Sequence, residues 1–236
     1  SPICYSIPGD VRRLHDTEIK IDAEQAGISG ESIADALLGL STANDDRFAR
    51  FHWEIKNFEV YKPISKGGSD AWVVPKIKET VEWQNDGEVL RRSSKSIRTR
   101  NEDKYGMEGL AWTYVKETGR RFGYFPEDGL FSHAGYMLFP EEGYSLWNLM
   151  AVMNSNLYHC LILSQTTDRF WNAGEIGAVP WYNSFEEVSR LGEMAQEQYR
   201  MMLQEHMSDP KSPYYRGASI LPSNSSGFFY SHPHTE

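Results

Sequence analysis

From Phe51 to Phe139 the chain is cut into short aromatic and β-branched runs by breaks rich in Gly, Pro and Asp. That texture limits the fold more than any other feature. The runs are "FHWEIKNFEVY", "AWVVP", "IKETVEW", "GLAWTYV", "RFGYF" and "YMLF". Branched and aromatic side chains suit a pleated, half-buried surface, and Gly-bearing separators permit tight reversals between neighbouring strands. Gly67-Gly68 within "KPISKGGSD" and the Asp-Gly pairs at 86–87 and 128–129 are such separators. The centre of the chain therefore reads as mainly antiparallel β. Alternation along residues 51–56 sets Glu54 and Lys56 on one strand face and Phe51, Trp53 and Ile55 on the other, with Trp53 and Ile55 buried.

Helices flank this region. Residues 31–38, following Ser29-Gly30, read as a short helix. In "YSLWNLMAVMNSNLYHCLIL", Leu146, Leu149, Met150, Met153, Leu157, Cys160 and Leu161 recur at three- and four-residue steps, the signature of one apolar helical face. A further helix is expected from Ser184, where Ser184-Phe-Glu-Glu187 matches a capping box. Its stripe runs through Phe185, Val188, Leu191, Ala195, Tyr199, Met202 and His206 and stops before Pro210. The expected class is α+β, a mainly antiparallel β centre with two or more helices packed on it.

The 236 residues suffice for one large domain or two small ones, and 40% hydrophobic content is ordinary for globular proteins. No run approaches the roughly 18 apolar residues that a membrane span needs, and "SPICYSIPGD" reads as the interior of a longer protein. Cys4 and Cys160 lie far apart, which fits a reducing compartment and makes a cytoplasmic location the expectation. The histidines are scattered, so no metal site is expected.

The net charge of −9 argues against a protein that coats nucleic acid non-specifically, but its distribution is uneven. Residues 90–121 hold Arg91, Arg92, Lys95, Arg98, Arg100, Lys104, Lys116, Arg120 and Arg121 against only Glu102, Asp103, Glu108 and Glu117. One electropositive segment on an acidic body is the pattern of a bounded polyanion site, although a charged surface hairpin has the same composition. The interleaved Ser93, Ser94, Ser96 and Thr99 add donors suited to phosphate oxygens, and Trp112 and Tyr114 follow.

Enzyme signatures are sparse. The chain has no G-x-x-x-x-G-K-[ST], no G-x-G-x-x-G, no G-x-S-x-G and no H-E-x-x-H. Ser212-Pro-Tyr-Tyr215 approaches the [NDS]-P-P-[YF] motif of amino-methyltransferases, but it lacks the second proline and a preceding strand, so it reads as a loop. Asp46, Glu54 and Lys56 imitate the D…E-x-K arrangement of Mg²⁺-dependent nucleases, in which two carboxylates hold the metal and Lys helps activate water. A protein-interaction domain using the Met-rich last helix is a third reading.

The order of motifs adds a resemblance. "SPICY", "GLSTANDDRFARFHWEI", "YKPISKGGSDAWVV", "VEWQNDGEVLR", "GLAWTYVKETGRRF", "PEDGLFSHAGYMLFP", "LMAVMNSNLY" and "NAGEIGAVP" occur in sequence. This succession resembles the region after the catalytic domain of large bacterial adenine-specific DNA methyltransferases. These are fused restriction-modification enzymes and their relatives in bacteriophage-exclusion systems. The resemblance covers residues 1–182. There are departures: the family's T-G-D-N reads Thr42-Ala43-Asn44-Asp45, His52 replaces the first Trp of W-W-E-V, and Ala111 stands where Thr is usual.

The resemblance implies a target-recognition domain over 1–182; beyond it the residues themselves read as a helix over 183–209 that packs on that domain or links to a further region, and a loop-rich tail over 210–236. The implied partners are double-stranded DNA and an amino-terminal methyltransferase domain of the same parent chain, with no membrane. No cofactor is expected in this chain, and S-adenosylmethionine belongs to that other domain. No catalytic residue is expected either. The expected DNA contacts are Asn44, Arg47, Lys66, Arg91, Arg92, Lys95, Arg98, Arg100, Trp112, Lys116, Arg120 and Arg121.

Overall fold

The structure, a computed structural model, describes residues 9, 13–57, 59–67, 73–75, 77–115, 122–166, 169–210, 212, 214 and 215. Its strands are β1 (Ile19–Lys20), β2 (Glu31–Ser32), β3 (Ala34–Leu37), β4 (Ala49–Phe51), β5 (Tyr61–Ser65), β6 (Glu79–Glu82), β7 (Gly109–Thr113), β8 (Gly123–Phe125), β9 (Leu130–Phe131) and β10 (Gly135–Pro140). Its α-helices are α1 (Ala23–Ala26), α2 (Asp45–Phe48), α3 (Glu88–Ser93), α4 (Leu146–Met153), α5 (Asn156–Gln165), α6 (Ala173–Gly177) and α7 (Ser189–Ser208). The α+β expectation holds, with antiparallel sheets carrying several helices.

The first four-stranded sheet has the order β3-β10-β7-β8, antiparallel throughout. Because side chains alternate along a strand, its register sorts residues into two faces. Ala36, Leu138, Leu110 and Tyr124 pair in one row across the four strands. They belong to the main core, which α4, α5, α6 and α7 cover. Leu37, Met137, Ala111 and Gly123 form the next row. There Met137 and Ala111 join Ile77, Phe125, Phe131 and Phe139 in a core between the sheets. With both faces covered, β7 is buried at every position, which is why "GLAWT" reads as a continuous apolar run.

The second sheet has the order β4-β6-β5-β9 and a smaller core of Leu40, Phe48, Ile64, Val81, Leu90, Ile97 and Leu130. The segment β9–β10 joins the two sheets: Leu130 points into the small core and Phe131 into the intersheet core. In the second sheet β5 and β9 run parallel, as do β1 and β2 in a third, two-stranded sheet.

Four sequence expectations are corrected. Residues 31–38 are strands β2 and β3, not a helix. The backbone N–H groups of Ile33 and Ala34 donate to Ile21 O, that of Ala36 donates to Asp22 Oδ2 at 2.7 Å, and β10 completes the ladder. The aromatic run from Phe51 is not one long strand. β4 ends at Phe51 and the chain enters a 3₁₀ turn at His52–Glu54, where Glu54 Oε2 accepts from Phe51 N at 2.9 Å. The helix after Ser145 is two helices, because Ser155 Oγ caps α5 and Asn154 Nδ2 donates to Phe122 O at 2.9 Å. Finally, α7 starts at Ser189 rather than Ser184. Glu186, the residue before the expected capping carboxylate Glu187, accepts through Oε2 from Ser145 N and Asn148 Nδ2, and Asn148 Nδ2 also donates to Phe185 O, which ties residues 185–186 to the start of α4.

Along α7, Leu191, Ala195, Tyr199, Met202, Leu203 and Met207 pack on the main core, while Met194, Met201 and the preceding Val188 are exposed. No helix among the described residues is long and apolar enough to cross a membrane.

Candidate nucleic-acid interface

The loop Ser41–Asn44 leads into α2, and its conformation follows from its turn residues. Ala43 is left-handed, with φ of 57°, at the position where the resembled motif carries Gly. Asn44 then caps α2, its side-chain oxygen accepting from Arg47 N at 3.1 Å. Phe48 is buried in the small core, with the Arg47 guanidinium 4.8 Å from its ring centroid. Arg47 is thus held at the surface by a cap on one side and a ring on the other.

The basic segment is brought to the same place. Ser41 N donates to Arg98 O at 2.8 Å and Arg98 N donates to Ser41 O at 3.0 Å. Two reciprocal hydrogen bonds therefore clip the entrance of the loop to residues far along the chain. The segment starts in "WQNDG", where Asn85, Asp86 and Gly87 are all left-handed, with φ of 50°, 52° and 79°. A side chain at 87 would meet the Trp83 ring at 2.6 Å, so only Gly lets α3 launch beneath that ring. Leu90 and Ile97 anchor the segment in the small core.

Within the segment the cations are not equivalent. Arg91 pairs with Glu102 at 2.8 Å and Arg92 with Glu88 at 2.5 Å, one helical turn away. Lys104 pairs with Asp35 at 2.6 Å, and that bond holds its pKa above the ordinary lysine value despite partial burial. Arg98 Nη1 donates to Lys95 O and Ile97 O, which orients its guanidinium. Arg47, Lys95, Arg98 and Arg100 are exposed and form no ion pair among the described residues.

Lys66 sits beside the loop in a different state. Gly135 crosses the end of β5 so closely that a side chain there would meet Ser65 O at 2.5 Å. That crossing sets the course of the chain at Lys66. Its ammonium lies 2.6 Å from Asp45 Oδ2 and 2.8 Å from Glu79 Oε2, with 18% of the side chain exposed. Burial would lower the lysine pKa, but the bonds to Asp45 and Glu79 outweigh it and raise it. Burial likewise works to raise the Asp45 pKa, and the bonds from Lys66 and Thr42 Oγ1, with the Lys66 and His133 charges, bring it below the ordinary value.

Two expectations need correction here. Trp112 is 1% exposed, and its Nε1 donates to Trp171 O at 3.1 Å, so it is core rather than a DNA-facing ring. β7 alternation turns Leu110 and Trp112 toward the helical layer. The nuclease triad also dissolves. Glu54 lies in a 3₁₀ turn with its carboxylate on Phe51 N, so the strand alternation that aligned it with Lys56 is absent. No cluster of three or more metal-ligating side chains occurs among the described residues. Lys116, Arg120 and Arg121 lie outside the described residues.

Sequence reasoning missed one feature of this edge. Phe51 and Trp53, expected on an ordinary strand with Trp53 buried, stack on one another in solvent. Only the Phe-His-Trp spacing signalled it, and that spacing equally fits a strand.

No family model matches the chain. The chain is 32% identical over 133 residues to "Adenine-specific methyltransferase BrxX" of Escherichia coli O9:H4 (strain HS), a match covering 51% of this chain. It carries a methyltransferase-related region. The matched region spans 11% of that relative's length. The motifs quoted above have structural counterparts: the loop into α2, the Trp83–Gly87 turn, and the crossing of β5 by Gly135.

Proposed function

We propose that this chain is the DNA-sequence-recognition module of an adenine-N6 DNA methyltransferase, from a restriction-modification or phage-defence system in the cytoplasm, without catalysis of its own. The observation that carries the reading is the Ser41–Arg98 clip, which joins the Asn44–Arg47 loop to the basic segment on one side of the small core. Its partner is duplex DNA. S-adenosylmethionine and the transfer chemistry belong to an amino-terminal domain of the parent chain. Arg47, Lys95, Arg98 and Arg100 supply donors for phosphates or guanine edges. Asn44 keeps its amide nitrogen for a base or phosphate while its oxygen caps α2. Arg91 and Arg92 engage DNA by trading Glu102 and Glu88 for phosphates. Lys66 acts by fixing the loop through Asp45 and Glu79.

The test is anisotropy titration of a labelled duplex over a range of salt. Binding is expected to weaken linearly in log–log form, with a slope of about −0.9 per neutralised phosphate. Arg98→Ala should lower the slope magnitude by about 1. Incubation with S-adenosylmethionine and duplex should give no methyl transfer. Absence of binding at low salt, or a quadruple Arg47/Lys95/Arg98/Arg100→Ala variant that binds like wild type, would refute the reading.

A further inference from the structure

Resting on the DNA-binding reading, we propose that the Phe51–Trp53 pair is a stacking platform for an unpaired nucleobase of the bound DNA. The two rings lie parallel, with centroids 4.6 Å apart and planes 9° apart. Phe51 is 40% and Trp53 55% exposed, so water covers much of a surface that the fold itself does not use.

The pair is held in place before any ligand arrives. Phe51 pairs with Glu79 in the β4–β6 ladder, and its N–H is capped by Glu54 Oε2. His52 N donates to Lys78 O at 2.9 Å, and the His52 ring meets Trp53 edge-on at 4.8 Å. A ligand that stacks here therefore pays little ordering entropy. Parallel rings offer a flat π face, which accepts any base.

Exposed cations lie on the segments that carry the pair. Arg47, Lys56 and Lys78 are exposed and form no ion pair among the described residues. Of the carboxylates on the same segments, Glu79 is paired with Lys66, Glu54 accepts from the neutral Phe51 N–H and keeps its charge, and Asp46 is exposed. A purely apolar protein partner needs neither coplanar rings nor flanking cations. A module that grips DNA while a base leaves the helix, by contrast, meets unstacked bases.

The experiment compares three labelled probes against the 236-residue chain: a fully paired duplex, the same duplex with one extrahelical base, and its single strand. Wild type should prefer the two probes with unpaired bases by about tenfold, as expected for one base–aromatic stack. Trp53→Ala and Phe51→Ala should abolish that preference while leaving fully paired duplex binding unchanged, and Trp53→Phe should keep most of it. Equal preference in wild type and both Ala variants would overturn the platform. So would variants that bind all probes normally but lose association with a separately added methyltransferase domain, which would mark a protein-docking surface. If wild type binds no fully paired duplex, the DNA-binding reading fails as well, a result distinct from failure of the platform alone.

Discussion

In the sheet β3-β10-β7-β8 both faces are covered, and apolar residues fill nearly every position of the central strands. The sheet β4-β6-β5-β9 has one small core, and its edge strand and loops carry exposed charges and two solvent-facing rings. Full coverage fixes register by burial alone and leaves few side chains for a ligand. Partial coverage leaves side chains available, so other devices must hold them: the Asn44 cap, the Ser41–Arg98 clip and the Asp45–Lys66–Glu79 pairs. The contrast separates a covered scaffold from a surface whose side chains remain available.

Trp112→Ala should give the largest effect. Removing a buried indole from the covered sheet is expected to cost about 3–5 kcal/mol in urea unfolding. Any loss of DNA binding should track the unfolded fraction. A variant as stable as wild type would break the contrast.

An intermediate effect belongs to the open sheet. Lys66→Met strips Asp45 and Glu79 of their shared cation, at an expected cost of about 1–2 kcal/mol for a partly exposed pair of bonds. Asp45, whose folded pKa lies below its ordinary value, contributes stability that is fully present above about pH 4 and lost as pH falls through the folded value. Lys66, with its pKa raised, contributes stability present below its ordinary value and lost as pH rises through the folded one. The stability difference between wild type and Lys66→Met should therefore be flat between these limits and shrink beyond both. A difference independent of pH would show that packing, not charge, holds the loop.

The smallest effect is a gain. Ala43 occupies the left-handed region, which costs an L-residue about 1–2 kcal/mol, part of it offset by the greater chain entropy that Gly adds to the unfolded state. Ala43→Gly should raise stability by about 0.5–1 kcal/mol, measured by the same denaturation. No gain would mean that the loop relaxes away from this conformation in solution.

Strands rich in aromatic and branched residues, such as Gly109–Thr113 and Gly135–Pro140, were legible in the sequence because both coverage and local propensity favour them. Residues 31–38 were not legible. Ala34, Ala36 and Leu37 favour a helix locally, but buried partners at Ile21, Asp22 and β10 claim their backbone groups first. The helix break at Asn154-Ser155 was hidden for a similar reason, since the bond from Asn154 to Phe122 is long-range. Of the candidate contacts, the clustering of Arg91 to Arg100 was plain from composition, whereas the burial of Trp112 was not.

By itself the sequence determined the α+β class, the positive segment on an acidic chain, and the turn chemistry of the Thr42–Arg47 loop. These follow from residue types and short spacings, which act through local backbone preference and summed charge. Only the tertiary structure decided which cations remain available. Lys66 is claimed by Asp45, 21 residues earlier, and Arg91 by Glu102, 11 residues later, while Arg98 is clipped to the loop. Electrostatic availability depends on distance in space, and folding sets that distance between residues that lie far apart along the chain.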